Sequence, residues 1–356
     1  MHSPTAVVQS RLAWRHSKDI DILISREKTI LDRTAREPRI LLLGTSDCGK
    51  TTLLKQLTIL HGGGYTEQDR KMYLQMIMEN VFDCALALLT ACSSRLDDIG
   101  DIKVKTDVQI TLEYLKNKSS REITLEIGDT ISRIWNDANI RKIYDAVQLQ
   151  DTAYYFLERA RLFSNPAYSA TDDDILHLRT PTTTITETVF TIKKVVFHFF
   201  DVGGQQKYRK QWAPYFDKMR HLLFVVSLAA YDQFLADDPT INRMHDALDL
   251  FGKICHNPLL KHIPVILFLN KKDLFEKKIR TSPISRYFPD YKYGVSYRRG
   301  VRFFEKKFRE GNEGEEDNKI VSHVTCCTDR QAMQVIIATT LEIMVLRAVK
   351  ESGIIQ

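Results

Sequence analysis

The sequence predicts an α/β fold: a mostly parallel, six-stranded sheet with helices on both faces, and an all-helical domain inserted between its first and second strands. Two observations carry this prediction. From Ile185 onward, short apolar runs alternate with segments of helical periodicity. From Thr66 to Phe163 the pattern is helical and poor in Gly and Pro. The length of 356 residues suits two domains, or one domain with a large insertion.

The composition is that of an ordinary soluble globular protein, with 44% hydrophobic and 27% charged residues. The longest apolar run, Leu222 to Ala230, is too short to span a bilayer, and the first residues lack the apolar core of a signal peptide. The six cysteines are scattered without a C-x-x-C pair, which predicts reduced thiols rather than a disulfide framework or a zinc site. The net charge of +6 fits weak attraction to an acidic membrane face or an acidic partner.

The chain divides into an arm and two domains. Residues 1–37 carry apolar residues at helical spacing among Arg and Lys, which predicts an amphipathic N-terminal helix ending before Pro38; a solvated extension is the alternative. Residues 38–64 and 179–356 are assigned to the α/β domain, and residues 65–178 to the inserted helical domain. Because the chain opens with His2 after the initiator and has no cysteine before Cys48, we expect neither N-myristoylation nor palmitoylation of the arm.

Apolar runs and helical periodicity assign the individual elements. The predicted strands are Arg39–Leu43, Thr188–Phe190, Val195–Phe200, Leu222–Leu228, Val265–Leu269 and Ser322–Cys326. The predicted helices are Leu53–Leu60, Met72–Ala91, Ile131–Ala146, Asp151–Leu162, Arg209–Phe216, Ile241–Cys255, Tyr297–Arg309 and Arg330–Lys350. Composition further predicts a hinge at His61–Gly64, a return linker marked by Asn165-Pro166 and Asp172–Asp174, and a charged surface loop at Gly311–Asp317.

The first predicted strand leads into a glycine-rich loop and then a helix. Gly44, Gly49, Lys50 and Thr51 fit the P-loop pattern G-x-x-x-x-G-K-[ST], in the strand, loop and helix order that a P-loop requires. Backbone N–H groups and the helix dipole in such a loop suit a phosphate chain. Lys50 would reach the β and γ phosphates, and Thr51 would offer its hydroxyl to Mg²⁺. A chance match arises in on the order of one per cent of chains this long, so we predict nucleotide binding.

A second motif, Asp201-Val-Gly-Gly-Gln205, ends the strand Val195–Phe200. An Asp at the end of a parallel strand lies at the ligand edge of the sheet, where it would hold Mg²⁺ through water. The Gly204 N–H would meet the γ phosphate, and Gln205 would orient the attacking water. The pattern D-x-x-G is weak alone, but it gains weight downstream of a P-loop and before a Gln.

A third motif, Asn270-Lys-Lys-Asp273, follows the strand Val265–Leu269. Asp273 would accept hydrogen bonds from guanine N1–H and the exocyclic amine, which adenine does not present in that arrangement. Lys271 would cover the purine face, and Asn270 would tie this loop to the P-loop. A solvated Lys/Asp turn is the alternative, disfavoured because the loop lies at the same sheet edge.

The last predicted strand ends in Thr325-Cys-Cys-Thr328. The Cys327 N–H would donate to guanine O6. A redox pair of Cys326 with Cys327 is the alternative reading, but adjacent cysteines rarely satisfy disulfide geometry.

A fourth segment, Arg179-Thr-Pro-Thr182, follows the acidic linker. Arg179 would neutralise charge on the γ phosphoryl group in the transition state. Thr182 would bind Mg²⁺ through its hydroxyl and the γ phosphate through its backbone N–H. Without the other motifs, an ordinary Ser/Thr-rich linker would be the better interpretation.

Together these motifs resemble, in order and context, the alpha subunits of heterotrimeric G proteins, from about Arg15 to the C-terminus. The stretches that carry the resemblance are Phe268-Leu-Asn-Lys-Lys-Asp-Leu-Phe-Glu276, Asp201-Val-Gly-Gly-Gln205, Asp174-Ile-Leu-His-Leu-Arg179 and Leu149-Gln-Asp-Thr152 with Tyr154-Tyr155. The resemblance implies a Ras-like P-loop GTPase domain with an inserted helical domain. It also implies a GTP/GDP switch that uses Mg²⁺ and hydrolyses GTP.

The resemblance assigns roles to individual residues. The implied catalytic residues are Gln205 and Arg179, and the implied metal ligands are Thr51, Thr182 and, through water, Asp201. The implied nucleotide contacts are Gly44, Thr45, Ser46, Asp47, Cys48, Gly49, Lys50, Thr51, Thr52, Asp151, Thr152, Leu176, His177, Leu178, Arg179, Thr182, Asp201, Val202, Gly203, Gly204, Gln205, Asn270, Lys271, Lys272, Asp273 and Cys327.

The resemblance also implies partners and a location. A beta-gamma dimer would bind the GDP form through the N-terminal helix and the region around Arg209 and Trp212. The C-terminal tail would meet a seven-helix receptor, and the GTP form would act on an effector that the sequence does not name. We expect no nucleic acid partner. We expect a cytoplasmic protein with peripheral association at the inner face of the plasma membrane, supplied indirectly by a lipidated beta-gamma partner.

The chain departs from the family pattern in its P-loop, where Ser46 replaces a usual Gly, Asp47 a Glu and Cys48 a Ser; Thr184 replaces a further Gly. A Cβ and hydroxyl at Ser46 would crowd the catalytic glutamine, so we predict slow hydrolysis and a long-lived GTP state. An alternative function is a GTP-binding scaffold with weak hydrolysis. An ATP-dependent kinase or ATPase shares the P-loop but lacks a motif like Asn270–Asp273.

Overall fold

The structure is a computed structural model that describes residues 37–147, 149–235, 237–311 and 320–351, with side chains to residue 346. The strands are β1 Arg39–Leu43, β2 Thr186–Ile192, β3 Val195–Asp201, β4 His221–Ser227, β5 Val265–Asn270 and β6 Val321–Val324. The α-helices are α1 Lys50–His61, α2 Glu67–Ser93, α3 Ile102–Asn117, α4 Leu125–Trp135, α5 Ala138–Ala146, α6 Ala153–Glu158, α7 Ala160–Phe163, α8 Asp172–His177, α9 Arg243–Cys255, α10 Lys272–Lys278, α11 Tyr297–Glu310 and α12 Arg330–Glu351.

The six strands form one sheet in the order β2-β3-β1-β4-β5-β6. Only β2 is antiparallel, paired to β3, and all other neighbours are parallel. This confirms the predicted mostly parallel sheet. The register sets Leu42 opposite Asp201 and Ser227 opposite Asn270, so the loops after β1, β3 and β5 leave from one edge of the sheet.

Apolar side chains on both faces hold helices against the sheet. Alternate residues of β1 face opposite ways: Leu41 and Leu43 join a core cluster with α9 and α11, whereas Ile40 and Leu42 join a cluster with α1 and α12. Strands buried on both faces read as continuous apolar runs, as β4 and β5 do. The helices on both faces were therefore predictable.

Helices α2 to α8 form the inserted domain around a second core. The helix α2 begins with a capping box in which the Thr66 side chain accepts from the Asp69 N–H and Asp69 accepts from the Thr66 N–H. Its buried side chains, among them Ile77, Phe82 and Leu88, pack in this core. By length and composition alone α2 is also apolar enough to cross a membrane, but its buried stripe accounts for that composition.

Several predicted boundaries are wrong for local reasons. The predicted helix Ile131–Ala146 is two helices, because Asp137 caps α5 by accepting from the Asn139 and Ile140 N–H groups. The predicted helix Asp151–Leu162 starts only at Ala153 and is interrupted at Arg159.

The acidic run Asp172–Asp174 is the first turn of α8 rather than linker, because Thr171 and Asp174 form a capping box. The predicted helix Arg209–Phe216 is a 3₁₀ segment, Gln206–Lys218, with Pro214 inside it; Pro lacks the N–H that an α-helix needs. The strand β6 ends at Val324, before the predicted Cys326. The predicted helix over residues 1–36 and the loop over 312–317 lie outside the described residues.

Candidate functional site

A cavity of about 440 Å³ lies at the carboxyl edge of the sheet, between the α/β domain and the helical domain. Its volume is in the range of small-molecule and cofactor sites. Residues from all four motifs and from both domains meet at its wall. The predicted residues that line it are Ser46, Asp47, Cys48, Gly49, Lys50, Thr51, Thr52, Asp151, Thr152, Leu176, His177, Leu178, Arg179, Thr182, Gly204, Gln205, Asn270, Lys271, Asp273 and Cys327.

Two glycines of the P-loop are required by its geometry. Gly44 has φ +139°, and a Cβ there would lie 2.1 Å from the Val225 carbonyl oxygen. Gly49 has φ +109°, and a Cβ there would lie 2.2 Å from Asn270 Nδ2. Both positions therefore exclude a side chain, by conformation and by space. The loop folds back tightly enough that Lys50 Nζ donates to the Gly44 and Thr45 carbonyls, at 3.0 and 2.8 Å.

Asn270 joins the P-loop to the loops after β5 and β6, as the sequence predicted. Its Nδ2 donates to the Cys48 carbonyl at 2.7 Å, and its Oδ1 accepts from Thr325 Oγ1 at 3.1 Å. The same Oδ1 accepts from the Cys327 N–H at 3.0 Å. The Cys327 N–H thus has a protein acceptor in this structure, so its donation to guanine O6 stays a prediction that requires sharing.

Three oxygens gather where the sequence placed a magnesium ion. Thr51 Oγ1 lies 2.9 Å from Thr182 Oγ1 and donates to Asp201 Oδ2 at 2.9 Å. The other Asp201 oxygen, Oδ1, is buried and has no hydrogen-bond partner among the described residues. Burial raises the pKa of Asp201 in spite of the nearby Lys50 ammonium.

A bound hard cation would give the buried Asp201 carboxylate the partner that its Oδ1 atom lacks among the described residues. Two hydroxyls and one carboxylate form an oxygen-only donor set, which suits Mg²⁺ with waters completing its shell. The described residues contain no group of three or more His, Cys, Asp or Glu suited to a metal, as expected where hydroxyls, waters and phosphates supply most ligands. The residues present fit the implied ion.

Arg179 is bound to the P-loop. Its Nε donates to Asp47 Oδ1 at 2.7 Å and its Nη2 to Asp47 Oδ2 at 3.0 Å, a bidentate pair. Burial by itself raises the pKa of Asp47, but Arg179, Arg243 and Lys271 outweigh it and hold the pKa below its usual value. The predicted catalytic arginine is at the cavity, paired to a carboxylate.

The positive φ in this part of the P-loop is at Asp47, the neighbour of Ser46. Asp47 has φ +54°, and Ser46 is absent from the described residues with positive φ. Ser46 therefore adds a Cβ and hydroxyl to the cavity wall without strain in φ. Its carbonyl accepts from Arg243 Nη2 at 2.6 Å.

A hydrogen-bonded chain that the sequence did not reveal links the two domains. Arg243 Nη1 donates to Gln233 Oε1 at 3.0 Å, and Gln233 Nε2 donates to Asp151 Oδ1 at 3.0 Å. Asp151, from the helical domain, pairs through Oδ2 with Lys271 Nζ at 2.7 Å. Burial opposes ionisation of Asp151, but the Lys271 charge dominates and holds its pKa well below the usual range.

The helical domain also contributes aromatic and polar side chains to the cavity wall. The rings of Tyr155 and His177 stack with centroids 3.8 Å apart, and burial lowers the pKa of His177. Thr152 Oγ1 is buried and unpartnered among the described residues, so it is available to a ligand. Both His177 and Thr152 were assigned from the resemblance rather than from a pattern in the sequence.

A buried lysine fixes the connection between the domains. Lys55 on α1 donates to the carbonyl oxygens of Ile175 and Leu178, at 3.0 and 2.7 Å. Both carbonyls lie at the end of α8, where the helix dipole favours a cation. Burial lowers the pKa of Lys55 to about 8. No motif singled out this residue.

The segment after β3 is packed closely on the P-loop. A Cβ at Gly204 would lie 2.5 Å from the Thr45 carbonyl oxygen. Trp212 Nε1 donates to the Gly203 carbonyl at 3.2 Å, and Arg209 Nη1 donates to Asp246 Oδ1 at 2.9 Å. This packing places Gln205 at the cavity wall beside the P-loop.

Some predicted contacts lie behind the cavity wall. The predicted residues that do not line it are Gly44, Thr45, Asp201, Val202, Gly203 and Lys272. Five of these are buried in or beside the P-loop. Lys272 is different: its N–H donates to the Thr325 carbonyl at 3.2 Å, and its nucleotide contact stays a prediction.

Comparison with known protein families gives a match over most of the chain. A family model described as G-protein alpha subunit matches residues 14–344. The matched range includes the P-loop, the three other motifs and the whole helical insertion.

Proposed function

The chain belongs to the family of G-protein alpha subunits, and on that premise we propose that it is a GTP/GDP switch that hydrolyses GTP. It would pass signals from a seven-helix receptor to an effector. The observation that supports this best is the convergence of four separated motifs on one cavity. Arg179 and Thr182, Asp201 to Gln205, Asn270 to Asp273 and the P-loop come from four different parts of the chain.

Discrimination for guanine rests on Asp273. It lies at the cavity wall on the loop that Asn270 fixes to the P-loop. An ionised carboxylate is an acceptor only, so it suits the two adjacent donors of guanine and offers nothing to the corresponding edge of adenine. The ATP-dependent alternative is disfavoured, because Asp273 offers adenine no matching contact.

Hydrolysis rests on groups that stabilise the transition state. Thr51, Thr182 and Asp201 would hold a Mg²⁺ ion, which would supply charge neutralisation on the phosphate chain. Lys50 leaves its carbonyl partners for the phosphate chain, Gln205 orients water, and Arg179 neutralises charge that develops on the transferred group. The switch also requires Arg179 to exchange Asp47 for the phosphate.

The weakly hydrolysing scaffold remains the second candidate, and one observation favours it. Arg179 is engaged bidentately by Asp47 at 2.7 and 3.0 Å. An arginine that stayed there would not reach the reacting phosphate. GTP would then bind and persist.

Two measurements on the purified chain separate these functions. Affinities for GTPγS and ATPγS test guanine binding, and we expect a strong preference for the guanine nucleotide. Single-turnover hydrolysis of prebound GTP, with Arg179→Cys as the inactive reference, tests the enzyme. A parent rate equal to that of Arg179→Cys would reject the hydrolysing switch in favour of the scaffold, and equal affinity for ATPγS would reject both.

We infer partners and a location from membership of the family. A beta-gamma dimer would bind the GDP form, the region around Arg209 and Trp212 being one of its contacts. Membrane residence in this proposal is peripheral, its stable anchor is supplied by that partner, and the unbound pool of the chain would be cytoplasmic. Co-purification with beta-gamma in GDP but not in GTPγS tests this directly.

A further inference from the structure

The helix α11 concentrates the positive charge of this protein. Residues 292–310 contain seven Lys and Arg against two Glu, while the whole chain carries a net charge of +6. The cations at positions 298, 299, 302, 306 and 309 fall within an arc of roughly 100° at 3.6 residues per turn. The opposite side of the helix, including Phe304 and Phe308, is buried in the core.

Ion pairing leaves most of this charge uncompensated. Lys306 pairs with Glu310 at 3.3 Å and Arg309 with Glu305 at 3.0 Å. These pairs use both glutamates of the helix. The remaining exposed cations are Lys292, Arg298, Arg299 and Arg302, and none of the four forms an ion pair within the part of the chain that the structure describes.

Apolar side chains stand beside these cations. Tyr293 is 53% exposed and Val295 is 62% exposed, on the turn that enters α11. The turn is anchored underneath: Tyr291 is buried, its ring lies 5.1 Å from that of Phe303, and it also contacts Tyr293 edge-on at 5.5 Å. Arg299 lies over the Tyr293 ring at 5.4 Å. The buried Tyr291 thus anchors the turn, and Tyr293 and Val295 remain exposed beside the cations.

We propose that this face, defined by Lys292, Tyr293, Val295, Arg298, Arg299 and Arg302, binds the surface of an anionic lipid bilayer. An exposed helix side with unpaired cations is complementary to a layer of acidic headgroups. Exposed Tyr and Val beside the cations add apolar area at the depth where amphipathic side chains enter the interface. An acidic peptide would use the cations but has no need of the two apolar side chains. This inference does not depend on nucleotide hydrolysis.

The test is binding of the full chain to vesicles of phosphatidylcholine alone and of phosphatidylcholine with about a third phosphatidylserine. We expect binding to the anionic vesicles only, and weakening with salt. The triple variant Arg298→Gln, Arg299→Gln, Arg302→Gln should lower the partition coefficient on the order of 100-fold, since each cation near an anionic surface contributes about fivefold. The corresponding triple Lys variant should bind as the parent does, because charge carries the contact.

A matched control removes three exposed cations elsewhere: Lys71→Gln, Lys103→Gln and Lys116→Gln on α2 and α3. This control keeps the net charge of the first triple variant and should bind within about twofold of the parent, because these residues lie away from the contact. Four acidic residues at 313–317 lie outside the described residues, and the full chain includes any screening they provide. The residues 1–36 are likewise common to all variants.

Two further measurements keep the test decisive. Anionic vesicles should slow hydrogen exchange of the parent over residues 291–299, which requires no variant. Tyr293→Ser should weaken vesicle binding severalfold but leave binding to a polyglutamate peptide unchanged. The proposal is overturned if the Gln variant binds vesicles like the parent, if the control loses as much, or if only polyglutamate binding depends on the three arginines.

Discussion

The contact between Asp151 and Lys271 is expected to control how fast bound nucleotide leaves. The pair joins the helical domain to the base-recognition loop at 2.7 Å, with the two side chains only 13% and 18% exposed. Residues of both domains line the cavity, so we expect release of a bound nucleotide to require this contact to open. Weakening the contact should therefore speed release.

The magnitude follows from burial. Asp151→Asn keeps the shape and leaves Lys271 charged but unpaired, which costs the closed state about 1–3 kcal/mol. That range corresponds to release roughly 5–150-fold faster. Because the pKa of Asp151 is held far below its usual value, the parent should keep its slow release below pH ~3.9, where an ordinary Asp would already be half protonated.

The assay is dissociation of a fluorescent GDP analogue chased with excess GDP. Asp145→Asn is the matched control, since Asp145 is an exposed carboxylate of the same domain outside the cavity. Unchanged release from Asp151→Asn, or an equal change in Asp145→Asn, would refute the view that this pair closes the domains.

Four further outcomes are expected. Asp273→Asn should weaken GTP binding by about 1–3 kcal/mol and shift preference toward xanthosine triphosphate, measured by competition; an unaltered preference would reject the guanine contact. Arg179→Cys should slow single-turnover hydrolysis by about 10³–10⁵, a range taken from this family itself, with GTP still bound; the parent rate in this variant would reject the assignment. Ser46→Gly retains the carbonyl that Arg243 binds and should raise hydrolysis severalfold with little change in affinity, whereas an equal or slower rate would show that this serine is not limiting. Lys55 holds its proton less tightly when folded, with a pKa lowered from 10.5 to about 8. Between pH 8 and pH 10.5 the unfolded state binds more protons at Lys55 than the folded state does, so this residue makes the free energy of unfolding rise with pH by up to about 3 kcal/mol. Lys55→Met should remove that rise in denaturant titrations. Identical pH profiles for the parent and the variant would contradict this prediction.

The sheet and the order of its motifs were accessible from sequence because each motif directly follows an apolar run. Parallel strands bring their carboxyl ends to one edge, so Thr51, Asp201 and Asn270 had to meet once their strands were recognised. The Asn270 bond to the P-loop carbonyl is the clearest case, since the predicted partner is observed at 2.7 Å.

The breaks between helices, and the side-chain contacts between residues distant in sequence, could not be predicted in the same way. In the sequence, Asp137 is one polar position within a helical pattern. Only the structure shows that its side chain accepts from the Asn139 and Ile140 N–H groups and so begins a new helix. Arg243 follows a turn that brings Phe234 against Asn242 in an isolated bridge. Only that fold-back directs Arg243 to the Ser46 carbonyl, and no spacing in the sequence encodes it.

Two carboxylates at the cavity, those of Asp47 and Asp151, are connected by contacts that the sequence did not reveal. These contacts bear on the proposed switch. Asp47 holds Arg179, and Asp151 holds Lys271. Arg243 lies within 3.7 Å of Asp47 and reaches Asp151 through Gln233, so an ion pair and two hydrogen bonds connect the two acids. Opening of the domains would separate Gln233 from Asp151, whereas the bond between Arg243 and Gln233 lies within the α/β domain. Because Gln233 contacts both Asp151 and Arg243, and Arg243 lies beside the Asp47 carboxylate that binds Arg179, we expect domain closure and the position of Arg179 to be coupled.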